Sequence, residues 1–408
     1  MSEAVAEARG VHPPSPFDVF RIFLRLGLTS FGGPVAHLGY FRAEFVGRRH
    51  WLDEAAFADI VALCQFLPGP ASSQVGISIG IMRAGLPGAL AAWLGFTMPS
   101  AIAMCAFGYG VGWEGDLSHA AWLHGLKIVA VAVVANALWG MARNLCPDAT
   151  RATIAVAASV AVIATPSAAG QVGAIIGGGL IGWWILKGAD VGSGSAALTI
   201  RIPRAWSWPA GILFFLLLIG LPLLRAGVAS QALAQFDSFY RSGALVFGGG
   251  HVVLPLLQAE LVPRGWVSND AFLAGYGAAQ AMPGPLFTFS AYLGTVMRPA
   301  PHGWLGALIC LVAIFLPSFL LLIAALPYWE TLRRMPAVQS VLRGVNAAVV
   351  GILLAALYNP VWTSAILSPR DFAIGIVAFL ALAVWAIPPW LVVIAGAIAT
   401  AALSAIIG

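Results

Sequence analysis

The sequence predicts an all-α integral membrane protein, with about thirteen transmembrane elements in two homologous halves of inverted topology and helices broken at Pro-Gly-Pro. Three observations predict it. Of 408 residues, 60% are hydrophobic and 9% charged, with mean hydropathy +0.90, whereas soluble domains carry about 25% charged residues. A spanning helix needs about 20 predominantly apolar residues. Apolar runs recur along the chain, among them 128–141, 152–164, 210–224, 304–325 and 372–387, with no strand-sized alternation between them. An ordered set of residues also occurs twice.

The repeat begins with Phe20, Phe23, Arg25, Gly27 and Phe31-Gly32-Gly33, which correspond in order and spacing to Phe236, Phe239, Arg241, Gly243 and Phe247-Gly248-Gly249. Glu44, Trp51, Phe57, Gln65 and Pro68-Gly69-Pro70 then return as Glu260, Trp266, Phe272, Gln280 and Pro283-Gly284-Pro285, with a one-residue slip between Glu44 and Trp51. Pro99-Ser100 answers Pro317-Ser318, and the region of Gly125-Leu126-Lys127 answers Gly344-Val345-Asn346. Self-similarity on this scale marks a duplicated structural unit.

Taken in order, residues 1–16 lack the apolar core of a signal peptide and read as a disordered arm. The first repeat, 17–187, supplies membrane elements at about 17–40, 55–82, 86–110, 118–142, 150–165 and 168–187. Residues 188–235 comprise a Gly/Ser-rich linker and one helix, 210–224, that has no earlier counterpart, and 236–408 form the second repeat. An odd helix after an even block inverts the second half, an arrangement that puts a transport site at the repeat interface near the bilayer midplane. With a cytoplasmic N-terminus, that side collects Arg9, Arg83, Arg143, Arg151, Lys187, Arg201, Arg204, Arg264, Arg333 and Arg334. The other side collects Arg42, Arg48, Arg49, Arg225, Arg298 and Arg370. The bias favours N-in and C-out, and shifts if the Phe31-Gly32-Gly33-Pro34 element is re-entrant.

Pro-Gly-Pro inside an apolar run stops a continuous helix, because proline removes a donor and clashes with the preceding turn. New half-helices begin after it, at Ala71-Ser72-Ser73 and Leu286-Phe287-Thr288. Their free N–H groups and positive dipole ends suit an anion, with hydroxyls from Ser72, Ser73 and Thr288 as further donors. A proline kink used for packing is the competing reading. Gly32-Gly33 and Gly248-Gly249 read as a second break in each half or as small-residue helix packing. Arg25 and Arg241 stand inside membrane elements, where a charge needs a partner or a cavity. A guanidinium fork suits a tetrahedral dianion, and snorkelling to the interface is the alternative. Gln65 and Gln280 adjoin the breaks.

Lys127 and His124 are matched with Asn346 and Arg343, and line the path or sit among headgroups. Asp18 and Asp237 read as helix N-caps. Glu44 and Glu260 are matched but fall in loops beside basic residues, so membrane carboxylates able to relay protons are scarce. The net charge of +5 is spread over short loops and gives no nucleic-acid surface. Cys64, Cys105, Cys146 and Cys310 have no metal or disulfide spacing, and no nucleophile elbow, HExxH, Walker A or dinucleotide fingerprint occurs. The reading is of a non-enzyme without cofactor or metal. It meets a lipid bilayer and an oxyanion, and leaves room for a homodimer.

At Phe31-Gly32-Gly33-Pro34 with His37, Glu44, Trp51-Leu52, Gln65 and Pro68-Gly69-Pro70, and at the matching set through Pro283-Gly284-Pro285, the chain resembles the chromate ion transporter family in its long two-domain form. The resemblance covers about residues 17–408. It implies export of chromate from the cytoplasm across a bacterial inner membrane, driven by the proton motive force as an antiport, and chromate resistance. Sulfate, close to chromate in shape and charge, or another oxyanion remains the alternative cargo. The second half departs from the pattern, with Gly250 where the first has Pro34 and no equivalent of His37.

Overall fold

The structure is a computed structural model that describes residues 14–113, 121–186, 203–332 and 334–407. The N-terminal arm lies almost wholly outside the described residues, as do Arg9, Arg333 and all of residues 187–202, Lys187 and Arg201 among them.

Helix α1 (Pro16–Thr29) starts in a capping box: the Ser15 hydroxyl accepts from the Asp18 N–H, and the Asp18 carboxylate accepts from the Ser15 N–H. Its 14 residues reach about 21 Å, short of a 30 Å hydrocarbon layer. At Ser30–Gly32 the chain turns back, and α2 (Gly33–Phe41, continued as π-helix through Arg48) returns along α1. Phe23 stacks on Phe45 with ring centres 5.1 Å apart, and Arg25 meets Glu44 at 2.9 Å. In one straight helix those two charged residues would stand about 28 Å apart, so the contact requires a hairpin.

The Pro-Gly-Pro segment turns a second hairpin. Helix α3 (Glu54–Phe66) climbs to it, and the arm 71–83 of α4 (Ala71–Trp113) descends, bringing Arg83 over the Trp51 ring beside the start of α3. At Ala84–Gly85 the backbone leaves helical geometry and the chain reverses again. Gly80 and Gly88 then pack so closely that neither has room for a Cβ. The long arm 86–113 crosses beyond them, followed by α5 (Ala121–Leu145), α6 (Ala149–Ala164) and α7 (Ala168–Ile185).

Helix α8 (Ser207–Gly227) has no partner in the repeat and turns Ile212, Phe215, Leu216, Ile219 and Leu223 outward, as a lipid-facing helix must. After it the plan repeats. Helices α9 (Gln231–Ala244) and α10 (Val253–Leu261) form one hairpin, and α11 (Asn269–Ala281) and α12 (Phe289–Val296) the other. The rods α13 (Gly303–Ala325), α14 (Pro336–Ala356), α15 (Pro369–Ala383) and α16 (Pro389–Ile407) follow. Gly294 and Gly306 repeat the Gly80–Gly88 contact.

Three expectations change at this level. Glu44 and Glu260 lie not in loops but buried on helices, in the π-helical end of α2 and in α10. The elements placed at 17–40 and 55–82 do not run on through their breaks; each reverses there, because a glycine or proline break marks where a helix stops and says nothing of where the chain goes next. Asp237 is not an N-cap: Ser230 caps α9, and Asp237 lies buried in mid-helix between Arg225 and Arg241.

The halves are interleaved. Helices α6 and α7 pack on α14 of the second half, while α15 and α16 pack on α5 of the first. Gly344 of α14 sits against Gly178 and Gly182 of α7, and Gly125 of α5 against Gly396 and Ala397 of α16. Without a hydrophobic force between helices in lipid, such backbone contact is what holds them together.

Candidate functional site

The four hairpin tips meet inside the protein. The N–H of Gly69, centre of the first Pro-Gly-Pro, donates to the Val246 carbonyl at 2.7 Å, and that of Gly284, centre of the second, donates to the Ser30 carbonyl at 2.9 Å. Ser30 directly precedes Phe31-Gly32-Gly33 and Val246 directly precedes Phe247-Gly248-Gly249. Each Pro-Gly-Pro tip is thus bonded to the Gly-Gly tip of the opposite half, a reciprocal exchange that two-fold-related halves make.

The matched Pro-Ser pairs close on the same point. A Cβ on Gly69 would lie 2.6 Å from Ser318 Oγ and 2.6 Å from Gln74 Nε2, and one on Gly284 2.9 Å from Ser100 Oγ. Both glycines hold φ values, +129° and +86°, that side chains avoid. Glycine is required twice over, by conformation and by space. Pro34 approaches Gly250, so the Gly-Gly tips also touch.

Helix α2, the arm 71–83, the 3-10 turn 250–252 before α10 and the 3-10 turn 286–288 before α12 all begin at the junction. The N–H groups that open these turns have no carbonyl of their own helix to reach, while those of Val252 and Thr288 already donate to the Gly249 and Pro285 carbonyls. Around them lie buried oxygens with no hydrogen-bond partner: Oγ of Ser30, Ser73 and Ser318, Oγ1 of Thr97 and Oε1 of Gln74. A buried unpaired polar group costs about 1–3 kcal/mol, and several together point to a partner that enters from outside the chain.

Among the residues singled out from sequence, Gly32, Gly33, Gly248, Gly249, Pro68, Gly69, Pro70, Pro283, Gly284 and Pro285 form the tips. Ser72 and Ser73 are buried in the first turn after them. Thr288 is buried too, but its hydroxyl donates to the Pro285 carbonyl at 2.9 Å. Gln65 is exposed, and Gln280 is half-buried with Nε2 unpartnered. Asn346 comes up against Gly248, with Arg343 one turn away on α14. Ser30, Gln74, Thr97 and Ser318 were not singled out as site residues. The Pro-Ser match carried the signal for Ser318, whereas nothing local marks Ser30 or Thr97.

The matched arginines are engaged elsewhere. Arg25 leaves α1 about 8 Å below the tip and reaches away from it to Glu44, which Arg48 also holds at 3.2 Å and Arg49 at 2.7 Å. Arg241 binds Asp237 at 2.8 Å and Glu260 at 2.9 Å. Arg264 reaches Glu260 at 2.8 Å, and Arg225 reaches Asp237 at 3.2 Å. Trp51 lies between Arg49 and Arg83, and Trp266 between Arg225 and Arg264. These matched clusters staple the arms of the Gly-Gly hairpins together. Lys127 pairs with Asp270 at 2.9 Å and His124 with Asp371 at 3.1 Å, tying α5 to α11 and α15 of the other half.

His37, 1% exposed, places Nδ1 3.2 Å from Ser72 Oγ. The second half does supply a counterpart: His251, two residues beyond Gly249, places Nδ1 2.7 Å from the Tyr276 hydroxyl. Each Gly-Gly hairpin thus carries one imidazole against a hydroxyl of its own half's Pro-Gly-Pro hairpin. His37 lies four residues beyond Gly33 and His251 two beyond Gly249, and this difference in spacing hid the likeness.

The family model described as chromate transporter matches residues 17–183 and 233–401. The chain is 28% identical to a chromate transport protein of Pseudomonas aeruginosa over 86% of this chain and 82% of that one. It is 26% identical to a probable chromate transport protein of Synechococcus elongatus, over 85% of each chain. It is also 26% identical to a chromate transport protein of Cupriavidus metallidurans, over 82% of this chain and 80% of the other. No solved structure matches.

Proposed function

The chain belongs to the chromate transporter family, a family of multi-pass membrane transporters and not of enzymes, and we propose that it exports chromate across the inner membrane, drawing on the proton motive force and so conferring chromate resistance. The observation that carries the reading is the junction of four re-entrant tips from both halves, rimmed by helix N-termini and unpaired buried hydroxyls. Helix ends and neutral donors stabilise an anion without a salt bridge, and a tetrahedral dianion presents acceptors in every direction. In this reading the matched arginines shape the hairpins, and the cargo is held by backbone and hydroxyls.

The re-entrant hairpins redistribute the loop arginines, and the orientation read from them stays N-in and C-out. With two hairpins returning to the side they left, Arg42, Arg48, Arg49 and Arg83 join Arg143, Arg151, Arg204 and Arg334 on the N-terminal side. Arg225, Arg264, Arg298 and Arg370 fall on the other. The larger basic share supports a cytoplasmic N-terminus and a periplasmic C-terminus.

Sulfate offers the same donors the same shape, so a sulfate-like oxyanion is the competing cargo. Labelled chromate and sulfate are to be followed into inverted vesicles with an imposed pH gradient. Gradient-dependent chromate accumulation that excess sulfate fails to suppress is the expected result. Sulfate accumulation with chromate only as a weak competitor assigns the cargo to sulfate instead.

A further inference from the structure

The junction contains two titratable groups that the anion site itself does not require. His37 is buried, its Nδ1 occupied by Ser72 and its Nε2 without a partner. Its ring stands edge-on to Phe96 at 5.2 Å, and the Phe96 carbonyl lies against Gly284 at the opposite tip. In the other half His251, half-buried, places Nδ1 against the Tyr276 hydroxyl.

We infer that His37 and His251 take up protons at Nε2 as the oxyanion binds and so supply its counter-charge; this rests on the oxyanion-transport reading above. In the tautomer whose Nδ1–H donates to the neighbouring hydroxyl, the lone pair on Nε2 accepts the proton. Protonation makes one N–H bond, leaves the Nδ1 contact in place and turns Nε2 into a charged donor.

The surroundings say what balances that charge. Around His37, α1 brings Arg25, committed to Glu44, and α4 brings the Ser72 hydroxyl and, at the base, Arg83. Its own hairpin brings Arg42, Arg48 and Glu44 at the far end. Around His251, α9 and α10 bring Arg241 and Glu260, bound to each other; α11 brings Tyr276 and, paired with Lys127, Asp270; α14 brings Arg343 and Asn346. Among the described residues, none of these carboxylates bonds either ring. A buried imidazolium with no anion beside it is unfavourable, so the bound dianion is the counter-charge. Proton and cargo then stabilise each other, and binding of one must strengthen binding of the other by the same factor.

The test is the pH dependence of chromate affinity, read from thermal stabilisation of the purified full chain above neutral pH, where chromate is a dianion. Wild-type affinity is expected to fall as pH rises, approaching about tenfold per pH unit for each participating imidazole. His37→Gln and His251→Gln should each flatten the slope, and the double variant should remove it while still binding chromate. Ser72→Ala, which leaves the imidazole in place, should shift the pH range of the effect and keep its slope. A pH-independent wild type, or histidine variants with the wild-type slope, overturns the inference. If His37→Gln does not assemble, His37→Asn takes its place with the same expected flattening. A wild type that chromate does not stabilise at any pH removes the functional reading itself.

Discussion

Arg25 and Arg241 show how far a single residue can be read. Their match, their charge and their place in apolar helices all make them legible, and each marks a necessary feature of its half. What they bind was hidden, because Glu44 and Glu260 lie 19 residues further along the chain and meet them only if the chain doubles back. The two positions are also unequal. Glu44 keeps Arg48 and Arg49 if Arg25 is neutralised. Arg241, 19% exposed at the side chain against 56% for Arg25, serves two buried carboxylates at once, and its loss leaves Asp237 to Arg225 and Glu260 to Arg264. Removing one partner from a buried ion pair costs up to about 3–5 kcal/mol. Arg241→Gln is therefore expected to lower the melting temperature and membrane yield sharply, and Arg25→Gln to leave both near wild type with transport partly retained. Stable protein and abolished transport in both variants would return the arginines to the anion.

At the scale of elements, composition and hydropathy located nearly every helix, and the proline and glycine motifs located the four hairpin tips. The direction of the chain after each break was not legible. An apolar arm has the same periodicity whether it continues across the bilayer or folds back beside its predecessor, and only contacts such as Phe23 on Phe45 distinguish the two. The consequence is topological. Reporters inserted after Arg48 and after Arg83 are expected on the same side as the N-terminus, and reporters after Arg264 and after Arg298 on the opposite side. Continuous spanning helices would instead separate Arg48 from Arg83, so a split between those two reporters contradicts the hairpins.

For the whole molecule, the duplication was legible and the interleaving was not: no residue of α6 or α7 announces that its neighbour will be α14. Interleaving makes the junction a property of both halves, since Ser30 comes from the first and Ser318 from the second. The most direct test of the junction as the oxyanion site therefore removes one hydroxyl from each half. Both are buried without partners, so Ser30→Ala with Ser318→Ala removes a desolvation cost of about 1–3 kcal/mol per group from the empty protein. The measurement is chromate affinity and melting temperature on the same purified double variant. The account predicts that the ligand-free melting temperature stays level or rises while chromate affinity falls by at least about tenfold, or 1.4 kcal/mol. Unchanged affinity in the folded double variant would place the oxyanion elsewhere.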